Sequence, residues 1–436
     1  MIALWDTLPA LTQDIALTVL LILPALIVGG TVLRGYAPWP LIGAILWRFR
    51  WANALFVLLI AVSVGMGIGL LAQERGLRQG TAAAADKFDL VISAPGSEIT
   101  MMLAAVYLQP SDVPLLDGAT YAEVADHKNV ELAAPLGFGD SFGASPLVGT
   151  TADFVMHLSD GRVEGRIWQD HNEAVIGALA PLSICDGFEP AHGIGDAAVH
   201  DAHDGEDLRV VGRMAATGTP WDRAILVPIE TVWEVHGLAN GHAPERGGQI
   251  GPPFDPAYFP GTPVIIVRAS ELWANYALRS EFTTDRTMAF FPGTVLGNLY
   301  RVMGDIRQAM SLMTLVTQSL VAASVLLGLF ILSRLFQRQL ALLRALGAPA
   351  RFVFAVLWSY GAALLVTGAA LGLVTGIAAA AVLSRIVSAR TDIVINAPLG
   401  WTEIHYLAGF ISLMTLFSLL PALAVFRKSI VAGLRG

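Results

Sequence analysis

The chain has 436 residues, 55% hydrophobic and only 14% charged, with a mean hydropathy of +0.61. Soluble domains carry about 25% charged residues, so this is the composition of an integral membrane protein. A net charge of −8 excludes a generally basic nucleic-acid binder, and a single cysteine, Cys185, excludes a disulfide scaffold, a Cys-rich zinc module and an iron–sulfur protein.

A membrane-spanning helix needs about 20 mostly apolar residues. Five stretches qualify: residues 15–33, 53–72, 310–333, 352–381 and 404–426. The first reads as a span rather than a cleaved signal peptide, because no Lys or Arg precedes Arg34. With the amphipathic segment that follows, it forms an N-terminal region of residues 1–52. The span 53–72 comes next. Residues 73–308 then carry 15 Lys and Arg against 31 Asp and Glu, with eight of the nine histidines. This acidic block reads as an extracytoplasmic domain. In chain order, strand patterns occur at Phe88–Ser93, Val130–Ala134, Leu208–Arg213, Arg223–Ile229 and Thr262–Arg268, and helical patterns at Glu98–Gln109, Thr120–His127, Ser270–Phe282 and Val295–Arg307. The alternation predicts a large mixed α/β domain, with a second lobe inserted at about 151–261 where Gly and Pro loosen the pattern. Residues 309–436 supply three more spans.

Charge orients the whole. Arg34, Arg48 and Arg50, then Arg334, Arg338, Arg344 and Arg351, then Arg427, Lys428 and Arg435 lie in segments without Asp or Glu. The positive-inside tendency places these in the cytoplasm, the C-terminus inside and the N-terminus outside. The expected fold is a five-span α-helical membrane bundle bearing a large mixed α/β extracytoplasmic domain.

No phosphate-binding loop, H-E-x-x-H helix or dinucleotide-binding turn occurs, so neither catalysis nor a cofactor is expected in this chain. A G-x-S-x-G string, Gly139-Asp-Ser-Phe-Gly143, has the spacing of a hydrolase nucleophile elbow around Ser141, but the strand-like Leu147–Gly149 follows where a helix is required. A turn between two strands is the expected reading. His192, His200, His203 and Asp204 lie in a Gly-rich, His/Asp-rich loop of a kind that suits zinc, the alternative being a solvated acidic loop. The spans contain no Asp, Glu, Lys or Arg, which argues against an ion channel or proton-coupled carrier. They do carry Gly65 and Gly69, and Gly368, Gly372 and Gly376, at the small-xxx-small spacing of helix packing faces.

The loop 334–351 is the most specific local feature. Leu335, Leu342, Leu343 and Leu346 give a short helix apolar surface, arginines give it charge, and Gly347 with Pro349 ends it. Such a helix docks in a partner's groove or lies on anionic lipid. Gln339-Leu-Ala-Leu-Leu-Arg-Ala-Leu-Gly-Ala348 resembles the E-I-A-L-L-R-A-L-G-A segment of ABC-transporter permeases of the MacB/FtsX type. Pro421-Ala-Leu-Ala-Val-Phe-Arg-Lys-Ser429 with Ala432–Arg435 resembles that family's P-A-x-x-A-x-R…A-L-R close, and Ile45–Trp51 its amphipathic elbow. Ala216-Thr-Gly-Thr-Pro-Trp-Asp-Arg223 is similar to a T-G-T-P-x-D-R motif of MacB-like permeases associated with metal homeostasis.

The resemblance covers residues from about 45 to the end and implies an inner-membrane permease without catalysis of its own, acting as a homodimer. A separate cytoplasmic ATPase would bind ATP and Mg and contact Arg338, Gln339, Leu342, Leu343, Arg344, Leu346 and Gly347. Mechanotransmission would then drive the periplasmic domain to export or extract a hydrophobic compound, lipoprotein, peptide or metal-related cargo. A periplasmic lipoprotein, adaptor or metal-binding protein would be a further partner, and membrane lipid the surroundings. Alternatives are a membrane regulator of a periplasmic enzyme such as a cell-wall hydrolase, and a metal-sensing receptor. Two departures stand out: Gln339 replaces the family's glutamate, and the first span is additional to the usual four.

Overall fold

The structure, a computed structural model, describes residues 8–109, 113–193, 207–335, 337–391, 395 and 397–426. In chain order the helices are α1 (Ala10–Leu33), α2 (Trp39–Arg48), α3 (Arg50–Ala85), α4 (Glu98–Tyr107), α5 (Gly118–Ala125), α6 (Ala152–Leu158), α7 (Ile229–Val235), α8 (Leu272–Glu281), α9 (Pro292–Leu335), α10 (Gln337–Ala345), α11 (Ala350–Thr391), α12 (Trp401–Phe417) and α13 (Leu419–Phe426). The strands are β1 (Leu90–Ser93), β2 (Val130–Phe142), β3 (Ser145–Thr150), β4 (Val163–Gly165), β5 (Glu173–Ile176), β6 (Gly187–Phe188), β7 (Ala191–His192), β8 (Leu208–Met214), β9 (Ile225–Pro228), β10 (Val264–Ala269) and β11 (Met288–Phe290). Two compact units result: a helical unit of Met1–Leu77, Asp305–Ile386 and Asn396–Gly436, and an α/β unit of Arg78–Gly304 and Val387–Ile395.

Three helices among the described residues are long and apolar enough to cross a membrane: Ala10–Leu33, Arg50–Ala85 and Ala350–Ala389. Five such helices are not seen among the described residues. The expected span 310–333 lies within the partly described α9, and the expected span 404–426 is divided between α12 and α13 at Ser418. The sequence supplies the reason, because Pro421 has no N–H for the Phe417 carbonyl one turn earlier. Helix α1 packs along α12, where Ser412 Oγ donates to the Leu21 carbonyl and His405 Nε2 donates to that of Asp14 at 3.0 Å. Asn53 ties three elements together: its amide donates to the Leu46 carbonyl of α2 at 2.9 Å and its oxygen accepts from Tyr360 of α11. Glu403, fully buried, takes Arg75 Nη1 at 2.8 Å on one oxygen and the Gly400 N–H at 2.9 Å on the other.

The α/β unit is built on one path of strands, β11-β1-β10-β2-β3-β9-β5-β8-β4, with β6 on β8 and β7 on β2. Pairing is antiparallel except for β3 with β9 and β5 with β8. Alternation decides the two faces: Val91, Val264 and Ile266 join Phe154 and Trp221 on one side, while Leu90, Ile92, Ile265 and Val267 join Tyr121, Trp233 and Leu278 on the other. Both faces are covered, which explains why β10 is apolar almost throughout. Every strand and helix expected in this block is present, with shifted ends. Strand β2 runs eight residues past the expected Ala134, since Pro135, Gly137 and Gly139 punctuate the sequence without ending the ladder.

The G-x-S-x-G string forms the end of β2 and a two-residue turn into β3, with Gly143 at φ +60°. Ser141 donates to the Gly193 carbonyl at 2.5 Å and sits mid-ladder, so the strand-to-helix elbow is absent. The T-G-T-P-x-D-R segment is a self-contained turn. Buried Asp222 accepts from Thr217 N at 2.7 Å and Thr217 Oγ1 at 2.8 Å through one oxygen, and from Gly218 N at 2.8 Å through the other.

Candidate functional site

The leucine- and arginine-bearing segment expected at 334–351 contains α10, and Gly347 explains where that helix stops. With φ +101° this glycine allows a Schellman close, in which Ala348 N–H bonds the Leu343 carbonyl and Gly347 N–H that of Arg344. Leu340 and Ala341 are buried and Leu343 is half-buried. Leu343 and Leu340, with Gln339, line a cavity of about 230 Å³ against Leu41, Ile45 and Arg48 of α2 and Leu357 of α11. Leu342, 49% exposed, and Leu346, 85% exposed, are left uncovered to one side of that face. Four residues apart on a helix, these two share one stripe. Arg338 lies on the same helix, and Arg344 is partly exposed in its last turn. One face of the helix is therefore seated on the bundle, while an adjoining one offers exposed leucine, and Arg344, two residues from each of those leucines, falls on another face.

The five glycines named from spacing lie on one seam between α3 and α11. A Cβ at Gly376 would fall 2.7 Å from the Gly65 carbonyl oxygen, one at Gly372 2.7 Å from Val64 Cβ, and one at Gly368 2.7 Å from Ile60 Cβ. From the other side, a Cβ at Gly65 would fall 2.8 Å from Thr375 Oγ1, whereas one at Gly69 meets only the Gly376 oxygen, at 3.5 Å. The helices touch backbone to backbone, an approach that any larger residue would prevent.

Of the expected metal ligands, His200, His203 and Asp204 lie outside the described residues. His192 occupies β7, where the ladder sets it directly opposite Asp140 of β2. His236, immediately after α7, completes a group in which one ligand atom from each of Asp140, His192 and His236 lies within 4.8 Å of the others. Sequence reasoning named His192 but missed the other two. The only signal was Asp140 inside the G-x-S-x-G string, where attention fell on the neighbouring serine. A second buried pair, Glu230 and His242, is separated by 3.4 Å, and Gly251 N–H donates to the carboxylate. Burial pushes the Glu230 carboxyl above its ordinary range.

Three membrane-length helices, together with the mixed sheet of the α/β unit, define the class: an α-helical membrane protein with a substantial folded α/β unit. Among solved structures, the chain is similar to the periplasmic region of MacB from Actinobacillus actinomycetemcomitans, at 10% identity over 50% of this chain and 94% of that one, with a TM-score of 0.31. It is also similar to the extracellular domain of the noncanonic ABC-type transporter YknZ from Gram-positive bacteria, at 10% identity over 46% and 98% of the two chains, with a TM-score of 0.27. No protein-family model and no curated protein matches the sequence.

Proposed function

We propose that this chain is the permease subunit of an ABC transporter of the MacB/FtsX type. It works as a homodimer in the inner membrane, with the α/β unit outside and a separate ATPase bound at α10. The observation that carries this reading is the exposed stripe of Leu342 and Leu346, on a helix whose sequence resembles that family's coupling segment. An exposed apolar stripe on a short helix fits a groove in a partner protein. Docking through the leucines also accommodates Gln339, which cannot make the charge-assisted contact of a glutamate.

The energy route follows from the connections. Closure of the ATPases pushes α10, whose inner face rests on α2 and α11. Helices α3, α9 and α11 each contribute residues to both units, so displacement in the membrane reaches the α/β unit. The five apolar stretches contain no Asp, Glu, Lys or Arg, which argues against a charged conduit, so the work is conformational and is delivered outside. Its object is a hydrophobic compound, lipoprotein, peptide or metal-related cargo.

The test is a double substitution, Leu342→Asp with Arg344→Glu, in permease reconstituted with its co-expressed ATPase. Loss of permease-stimulated ATP hydrolysis with normal membrane insertion is the expected result. Full stimulation would contradict docking at α10.

A further inference from the structure

The geometry points to a zinc-class metal site formed by Asp140, His192 and His236 in the α/β unit, a site that stands whether or not the permease reading does. Three strands of local structure bring the trio together. Asp140 and His192 are direct partners across the β2–β7 ladder, so their side chains emerge on the same face of the sheet. The ladder is irregular between Gly137 and Asp140, and Gly139 sits there at φ +149°, a conformation favouring glycine; such a bulge re-aims the next side chain. Helix α7 is drawn close to the sheet over Gly137 and Gly149, where a Cβ would fall 3.2 and 2.6 Å from Val232. That approach delivers His236, the residue after the helix, to Asp140.

The two separations about Asp140 are close to what a transition metal requires, and the three donor atoms lie within 4.8 Å of one another. Asp140 Oδ1 lies 3.2 Å from His192 Nδ1 and 3.7 Å from His236 Nε2. For zinc bonds of about 2.0–2.1 Å in tetrahedral geometry, ligand atoms stand about 3.3 Å apart. The two distances bracket that value. The tautomer of His236 is fixed independently: Nδ1 is 2.7 Å from the Val232 carbonyl and must donate to it, so in the neutral ring Nε2 carries the lone pair and is the nitrogen turned toward Asp140. A backbone carbonyl orienting a histidine in this way is the usual outer partner of a metal-bound imidazole. The Asp140 side chain is only 1% exposed, so a cation it held would be shielded from solvent on that side.

Two imidazoles and one carboxylate select zinc or its neighbours over calcium or magnesium, which prefer all-oxygen shells. Three protein ligands also leave a fourth position open. The His192 side chain is 53% exposed, which gives that position access to solvent and to an exchanging partner.

The test is calorimetric titration of the purified full-length chain with zinc chloride, together with cobalt(II) chloride absorption as a report on tetrahedral geometry. The expected result is one zinc per chain, with affinity at least tenfold weaker in Asp140→Asn, in His236→Gln and in His192→Ala, and unchanged in a His200→Ala/His203→Ala variant. His192 is half-exposed, so its variant tests the site even if the Asp140 variant fails to fold; equal melting temperatures in chelator establish that the fold is kept. Zinc binding that survives all three single substitutions, or is lost only with His200 and His203, would overturn the assignment, as would absence of binding in the unaltered protein.

Discussion

Two Gly-to-Ala substitutions on the α3–α11 seam carry opposite expectations. At Gly376 the added methyl meets the Gly65 carbonyl oxygen at 2.7 Å, Ile68 Cβ at 3.0 Å and Gly65 Cα at 3.1 Å. Two of these are backbone atoms, so relief requires the helices to part by about 0.6 Å to restore a carbon–oxygen contact of about 3.3–3.4 Å. Overpacking of this kind costs about 1–3 kcal/mol, and alanine's better helix propensity returns about 1 kcal/mol. The net loss for Gly376→Ala is about 1 kcal/mol, roughly a fivefold change in the folding equilibrium. At Gly69 the methyl meets only the Gly376 oxygen at 3.5 Å, an ordinary contact, so propensity dominates and Gly69→Ala is neutral or stabilised by up to about 1 kcal/mol. Unfolding of detergent-solubilised protein by increasing SDS, followed by tryptophan fluorescence, separates the two variants. Equal shifts, or a Gly376→Ala protein more stable than Gly69→Ala, would refute a seam set by backbone contact.

Arg75→Ala leaves Glu403 buried and unpaired, which should cost about 3–5 kcal/mol in the same assay, while Arg75→Met with Glu403→Gln should recover most of it. Asp222→Ala strands the Thr217 and Gly218 N–H donors, lowering thermal stability by about 1–3 kcal/mol; zinc affinity should not change, because the T-G-T-P-x-D-R turn is structural. Because the raised Glu230 carboxyl holds its proton more tightly folded than unfolded, its contribution is present below the ordinary glutamate value of about 4.3 and is lost as pH rises through the folded value. Glu230→Gln should flatten that fall in a series of melting curves across pH.

Hydropathy and period carried most of the fold. The helices α1, α3 and α11 are long apolar runs, and β1, β8 and β10 are short β-branched runs, each readable from its own residues. Gly65, Gly69, Gly368, Gly372 and Gly376 were legible because four-residue spacing puts small residues on one face of a helix. The Asp140–His192–His236 group was not. Its members lie 44 to 96 positions apart, and the β2–β7 register and the seating of α7 that unite them are long-range results of folding. Arg75 and Glu403, 328 positions apart, were hidden for the same reason. Local spacing drew attention instead to Ser141, whose hydroxyl is occupied in holding the β7 end of the ladder.

Opposite membrane faces for α10 and the α/β unit are the core of the functional account, and the chain's single cysteine makes them directly measurable. Cys185 is exposed in the α/β unit, and Leu346, just after α10, is 85% exposed. A membrane-impermeant maleimide applied to intact spheroplasts should label native Cys185, and should label a Cys185→Ser/Leu346→Cys protein only after permeabilisation. Labelling of position 346 from outside, or of Cys185 only from within, would contradict the account.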